Sequence, residues 1–168
     1  GSVQDKTLGF IGAGNMGAAL LRGVLAAGLV TADRAMVADR NPELLAKLAG
    51  ELGVETTADN RVVAGRADVL VLAVKPGIVA GVLEDISDVL QPHQLVVSVA
   101  AGVTVSTMES LLSDAIPVIR SMPNTPCLVG VGASAYALGT HCDPSHGVIA
   151  EGILTAVGKA WEVSEEDL

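Results

Sequence analysis

A chain of 168 residues that is 50% hydrophobic is long enough for one compact domain with its own core and too short for two full-sized ones, and it is too apolar to be disordered throughout. Ten Lys and Arg face 19 Asp and Glu, and the net charge of -9 argues against nucleic acid as a partner, because neutralising phosphates needs a basic surface. The longest apolar runs fall far below the roughly 20 residues that span a bilayer, so no membrane helix is expected and a cytoplasmic location is the default.

Residues 1–6 read as a tag remnant, Gly1-Ser2, with an N-terminal tail. From there, short β-branched runs alternate with longer stretches at helical spacing, the signature of βα units and a parallel sheet. The pattern predicts strands over 7–11, 35–38, 54–56, 69–73, 95–98 and 118–121. Helices are predicted over 16–27, 42–52, 59–65, 78–90 and 105–112. Asn41-Pro42-Glu43 is a capping residue, a proline suited to the first helical position and a first-turn acid. After Pro126 come a strand over 130–137, a helix over 145–157 and a last strand over 160–163, so one domain over 7–163 is expected. Ser164-Glu165-Glu166-Asp167-Leu168 resembles a cap with first-turn acids, and a helix leading to a second domain is expected to begin there.

Gly12-Ala13-Gly14-Asn15-Met16-Gly17 is a G-x-G-x-x-G directly after the first strand and opening the first helix, the context this motif requires. Gly12 permits a tight turn, Gly14 lets the backbone approach a pyrophosphate, and Gly17 allows helix and strand to pack closely. Free amides and the helix dipole would supply positive potential. The fold class that follows is α/β: a Rossmann-type, doubly wound, mostly parallel sheet with helices on both faces.

Asp39 lies 22 residues beyond Gly17 at the end of the second strand, where an acid accepts hydrogen bonds from a ribose and so favours NAD. Arg40 follows it, and a guanidinium there can stack on adenine and pair with a 2′-phosphate, which favours NADP. The two cues point in opposite directions. At the end of the fourth strand, Pro76 stiffens the loop and Lys75 can support a cofactor or substrate charge. Small residues over 98–102 leave room for a nicotinamide ribose, and two prolines within 121–126 suggest a rigid loop over the nicotinamide end.

Residues 1–84 carry 8 basic and 9 acidic side chains and residues 85–168 carry 2 and 10, so an anionic ligand should prefer the first half. His93, His141 and His146 show neither triad nor metal spacing, and no metal is expected. Cys127 and Cys142 form no disulfide framework and read as reduced, partly buried thiols. Three aromatics, Phe10, Tyr136 and Trp161, are few for stacking on single-stranded nucleic acid.

Four segments together resemble the pyrroline-5-carboxylate reductase family: 9–17, 73–76, 97–103 and 122–126, in order and at strand ends. That resemblance implies an N-terminal dinucleotide-binding domain, with a C-terminal helical domain making a homodimer or higher assembly and most of the substrate pocket. It implies that Ile11, Gly12, Ala13, Gly14, Asn15 and Met16 hold the pyrophosphate of NADP(H), with NAD(H) tolerated. Asn60 and the Asp39/Arg40 corner would lie near the adenosine phosphate. Ala73, Val74, Lys75 and Pro76, with Val99, Ala100 and Ala101, would line the cofactor, and Pro123, Asn124 and Thr125 are the candidate substrate contacts.

The activity implied is hydride delivery to the C=N carbon of 1-pyrroline-5-carboxylate, a small-molecule substrate, giving L-proline. A protonated imine is already electrophilic, so positioning matters more than an acid/base pair, and no catalytic side chain is expected in this chain. With the helical domain outside the sequence, dinucleotide binding with little or no turnover is expected. Two other readings share the opening motif: a β-hydroxyacid dehydrogenase type of reductase, and a dinucleotide-binding module that catalyses nothing.

Overall fold

The computed structural model describes residues 5–113, 115–124 and 132–168. Strands and helices alternate as β1 (Leu8–Ile11), α1 (Asn15–Ala26), β2 (Ala35–Ala38), α2 (Pro42–Leu52), β3 (Glu55–Thr57), α3 (Asn60–Arg66), β4 (Val69–Leu72) and α4 (Pro76–Ile86). They continue as β5 (Leu95–Ser98), α5 (Val105–Ser110), β6 (Val118–Asn124), β7 (Gly132–Leu138), α6 (Pro144–Leu154) and β8 (Gly158–Glu162). The sheet order is β3-β2-β1-β4-β5-β6-β7-β8. Strands β1 to β6 are mutually parallel, β7 runs antiparallel to β6, and β8 is parallel to β7.

Right-handed crossovers explain the layering, because the connections leave β1 in one direction toward β2 and β3 and in the other toward β4, β5 and β6. Helices that serve opposite halves must therefore cover opposite faces. Leu8 and Phe10 point to the face where Leu20 and Leu21 of α1, Leu45 and Leu48 of α2 and Ile153 of α6 pack. Ile11, Leu70 and Leu72 point to the other face, against Val63 of α3, Val79 and Leu83 of α4 and Met108 of α5. Successive residues of one strand thus feed two cores, which is why these strands are apolar on both sides and wholly buried. The expected doubly wound α/β sheet is the observed one.

Local chemistry sets the element ends. The Asn41 side chain accepts from Glu43 N–H at 3.0 Å, and Pro42 opens α2. In α6, Asp143 Oδ1 accepts from Ser145 N–H at 2.8 Å, and the Nδ1 of His146 accepts from Asp143 N–H at 2.9 Å, so His146 closes a capping box.

Most element ends differ from the sequence expectation by one to four residues, and several of the differences have a plain physical reason. Strand β3 starts one residue late because Val54 turns into the core instead of pairing. Helix α4 starts at Pro76, whose fixed φ suits a first helical position. The segment expected as a loop over 121–126 stays in β6 through Asn124, with Pro123 opposite Ser134 and Asn124 opposite Ala133. Strand β5 pairs only as far as Arg120, so one edge of β6 beyond it is open and can take a proline without losing a ladder bond. Thr125, with Pro126 and Cys127, lies outside the described residues. The terminal acids form a single 3-10 turn, Glu165–Asp167, rather than the start of an α-helix. Among the described residues no helix is long and apolar enough to cross a membrane.

Candidate functional site

The sheet order reverses between β1 and β4, and their carboxyl ends diverge into α1 and α4 on opposite faces, the place where open α/β sheets bind ligands. A cleft of about 280 Å³ opens there. It is lined by Ile11, Gly12 and Gly14 from the first turn, Asp39 and Arg40 from the second, Asn60 from α3, and Ala73, Val74 and Lys75 from the fourth. These sequence-predicted residues come from four separate turns, and the fold alone brings them together. The cleft continues into a hollow of about 430 Å³ that shares Arg40 and Asn60 and ends at Asp85.

The turn after β1 is held tightly. Gly12 has φ +106, and a side chain on it would run into the carbonyl oxygen of Ala73 at 2.5 Å. A β-carbon on Gly17 would collide with the Gly12 carbonyl oxygen, so the turn and the first coil of α1 interlock. Gly14 is different: its backbone is ordinary, with φ -72, and a β-carbon there would meet nothing within 4 Å. The space beside Gly14 belongs to the cleft, not to the core.

Two of the amides expected to be free in this turn have partners. Gly12 N–H donates to Ala38 O at 2.9 Å, and Ala13 N–H donates to Asp39 Oδ2 at 2.7 Å. Asp39 Oδ1 accepts from Asn41 N–H at 2.8 Å. The acid at the end of β2 is thus turned onto the main chain, and a long-range partner, invisible in the sequence, explains why.

Helix termini set the electrostatics. Side chains cap α2, α3, α5 and α6 through Asn41, Asp59, Thr104 and Asp143. The two helices that flank the cleft, α1 and α4, have no side-chain cap and no acid in the first turn. The positive end of the dipole at a helix N-terminus attracts anions. Arg40 and Lys75, exposed at the rim, enter no ion pair among the described residues, whereas Arg22, Arg61, Arg66 and Arg120 each do. The cleft therefore combines two cations that enter no ion pair among the described residues with the N-termini of two helices, a fit for a phosphate-bearing ligand.

The remaining predicted residues sit around this cleft or apart from it. Ala13, Gly14 and Asn15 border a smaller hollow of about 230 Å³ against Arg22 and Lys47. Met16 packs on the core and Pro76 begins α4. Val99, Ala100 and Ala101 follow β5, one strand along, and do not line the cleft. Val99 N–H donates to Leu72 O at 3.0 Å and Ala100 N–H to Ser98 Oγ at 3.2 Å, so this turn is fixed to the neighbouring strand. Cys142 is half-buried and donates to Val118 O at 3.3 Å, and burial pushes its thiol pKa up.

Sequence reasoning missed Ile78 and Val82, which line the cleft from α4. Ile78 is 46% exposed although apolar. Its spacing of four from Val82, just after the helix start at Pro76, is the signal that could have found the pair.

A model of the family described as NADP oxidoreductase coenzyme F420-dependent matches residues 7–102. A protein of Methanosarcina acetivorans named pyrroline-5-carboxylate reductase is 38% identical over 163 residues, which cover 97% of this chain and 60% of that protein. The solved structure of a pyrroline-5-carboxylate reductase from Coxiella burnetii superposes with a TM-score of 0.90 at 38% identity, over 96% of this chain and 60% of the other. A Plasmodium falciparum pyrroline carboxylate reductase structure with NADP bound gives 0.86 at 27% identity, over 99% and 60%. The chain spans between about half and three-fifths of the length of the curated relatives it matches.

Proposed function

The chain belongs to the family of NADP oxidoreductases described as coenzyme F420-dependent, and from that membership we propose that it is the dinucleotide-binding part of a pyrroline-5-carboxylate reductase. The observation that carries the reading is the cleft at the β1/β4 reversal, with two helix N-termini beside it and Arg40 and Lys75 in no ion pair among the described residues. The named relatives support the choice of chemistry.

In this reading the pyrophosphate lies against the turn at Gly12 and Gly14, where the missing side chain at Gly14 lets the main chain approach. The adenosine end lies toward Arg40 and Asn60, both of which line the cleft and the hollow beyond it. NADP(H) is the preferred form, since a guanidinium without a partner suits a 2′-phosphate, and NAD(H) is tolerated. When bound, the reduced nicotinamide supplies a hydride to the C=N carbon of 1-pyrroline-5-carboxylate, giving L-proline. This chain contributes binding and orientation: the stiff Lys75-Pro76 turn and the turn after β5 define where the nicotinamide end can lie. Pro123, Asn124 and Thr125 are the substrate contacts of this proposal, and the rest of the pocket belongs to the length the relatives have in addition.

Calorimetric titration with NADPH and NADH tests the binding half. Saturation by NADPH with weaker binding of NADH is expected; no binding of either would end the proposal. Coenzyme oxidation with 1-pyrroline-5-carboxylate, compared with 3-hydroxy acids, tests the chemistry. Little or no turnover is expected from the chain alone, with activity toward the cyclic imine when the remaining portion of a relative is supplied in trans. Oxidation driven by hydroxy acids instead would favour the dehydrogenase reading.

A further inference from the structure

Asp39 stands where an acid in this fold class accepts hydrogen bonds from the adenosine ribose, and an acid there disfavours a 2′-phosphate. Its geometry in this protein serves another end. Ala13 belongs to the turn between β1 and α1, and Asn41 is the cap of α2. By accepting from both their amides, at 2.7 and 2.8 Å, one carboxylate ties together two turns that are 26 residues apart in the chain as measured from Asp39 to Ala13. Bonds of this kind from an ionised oxygen to main-chain N–H groups are roughly twice as strong as neutral ones. The tie also sets where Gly14, the next residue, meets the cleft.

We propose that Asp39 is a positioning residue: its carboxylate holds the glycine turn in the geometry that receives a dinucleotide, and it does so for NADP(H) and NAD(H) alike. Discrimination at the 2′ position is left to Arg40 and Asn60, whose side chains enter no hydrogen bond or ion pair among the described residues. This rests on the dinucleotide reading of the cleft. It resolves the opposition between neighbouring acid and base in the sequence, since an acid engaged with the loop need not select against a phosphate.

The test uses Asp39→Asn, nearly the same shape with one acceptor oxygen replaced by a donor. Affinities for NADPH and NADH are measured by calorimetry against the wild type, and amide hydrogen exchange is followed by NMR on the ligand-free proteins. A loss of about tenfold is expected for both coenzymes, with their ratio unchanged within about twofold. Exchange at Ala13 N–H should accelerate, while Gly12 N–H, bonded to Ala38 O at 2.9 Å, keeps its protection. Loss of NADH affinity with NADPH affinity held would overturn the proposal and make Asp39 a ribose acceptor. Unchanged affinity for both would overturn it as well. Should the variant fold poorly, the wild type decides: an Ala13 amide that exchanges as fast as an unstructured one has no such partner. Failure of the wild type to bind either coenzyme is a separate result that removes the dinucleotide reading itself.

Discussion

Gly9 of β1 and Val63 of α3 meet without room for a methyl group between them: a β-carbon on Gly9 would stand 2.5 Å from Val63 Cγ1 and 2.7 Å from Ala67 Cβ. The helix lies directly on the strand that leads into the glycine turn. Gly9→Ala is therefore expected to destabilise the fold by about 1–3 kcal/mol, since an overpacked core must shift its neighbours. Urea unfolding measures this as a lower midpoint at unchanged slope; an unaltered midpoint would mean that α3 moves away without resistance.

Gly14→Ala should behave in the opposite way. Among the described residues, no atom beyond its own chain neighbours lies within 4 Å of the added carbon, and the backbone angles suit alanine, so stability should stay within about 0.5 kcal/mol of the wild type. Coenzyme affinity should fall by about tenfold or more, because the methyl group would occupy the approach of the pyrophosphate. Melting curves and coenzyme titration on one sample separate the two effects, and full affinity in the variant would place the ligand elsewhere.

Arg40→Ala is expected to weaken NADP binding by about tenfold and NAD binding far less, because the charge-assisted bond to the 2′-phosphate is lost only for NADP. The wild-type preference should also fade as salt is raised. Equal affinities for NADP in the two proteins would show Arg40 to be solvated only.

Arg120 is 7% exposed and pairs through Nη1 with Glu165 at 3.2 Å, and the same Glu165 oxygen accepts from Val105 N–H at 2.7 Å. Among the described residues its Nε has no hydrogen-bond partner. Glu165→Ala leaves a buried guanidinium unpaired and is expected to cost about 3 kcal/mol. Adding Arg120→Met should restore part of that loss, because it removes the orphaned charge together with its partner. A double variant no more stable than the single one would contradict this account.

Acid should weaken the fold through carboxylates held below their ordinary range. Hydrogen bonds from the Arg22 guanidinium lower the pKa of Glu51, those from Arg61 lower that of Asp88, and the Ser145 side chain does the same for Asp143. A carboxylate with a depressed folded pKa adds stability above its unfolded pKa, and the contribution disappears as pH falls through the folded value. Melting temperature should accordingly decline from about pH 5 to about pH 3. Asp88→Asn should flatten the decline; an identical curve would remove that pair from the explanation.

What the sequence disclosed was governed by distance along the chain. The turn at 12–17, the cap at Asn41 and the first-position proline at 42 act on residues within a few places of themselves, so their roles follow from local chemistry. The doubly wound sheet was legible because each apolar run is short and bounded by turn residues. The direction of the Asp39 carboxylate was not, because its partner Ala13 is brought near only when β1 and β2 pair. The pull of Arg120 on Glu165, 45 residues away, was hidden for the same reason, and acids that resemble a helix start settle into one short turn. The cleft-facing side of α4 was hidden by hydrophobicity itself, since Ile78 looks like any core residue until its exposure is known.

The two helix ends at the cleft, on either side of the sheet, have a mechanical consequence. An anion seated between them would bridge the N-termini of α1 and α4, stapling together helices that pack on opposite faces of the sheet. Occupancy would then be felt as rigidity on both faces at once, and a hundredfold excess over the dissociation constant would add about 2.7 kcal/mol to the fold. Coenzyme supply would thereby set how long the protein survives heat and proteolysis.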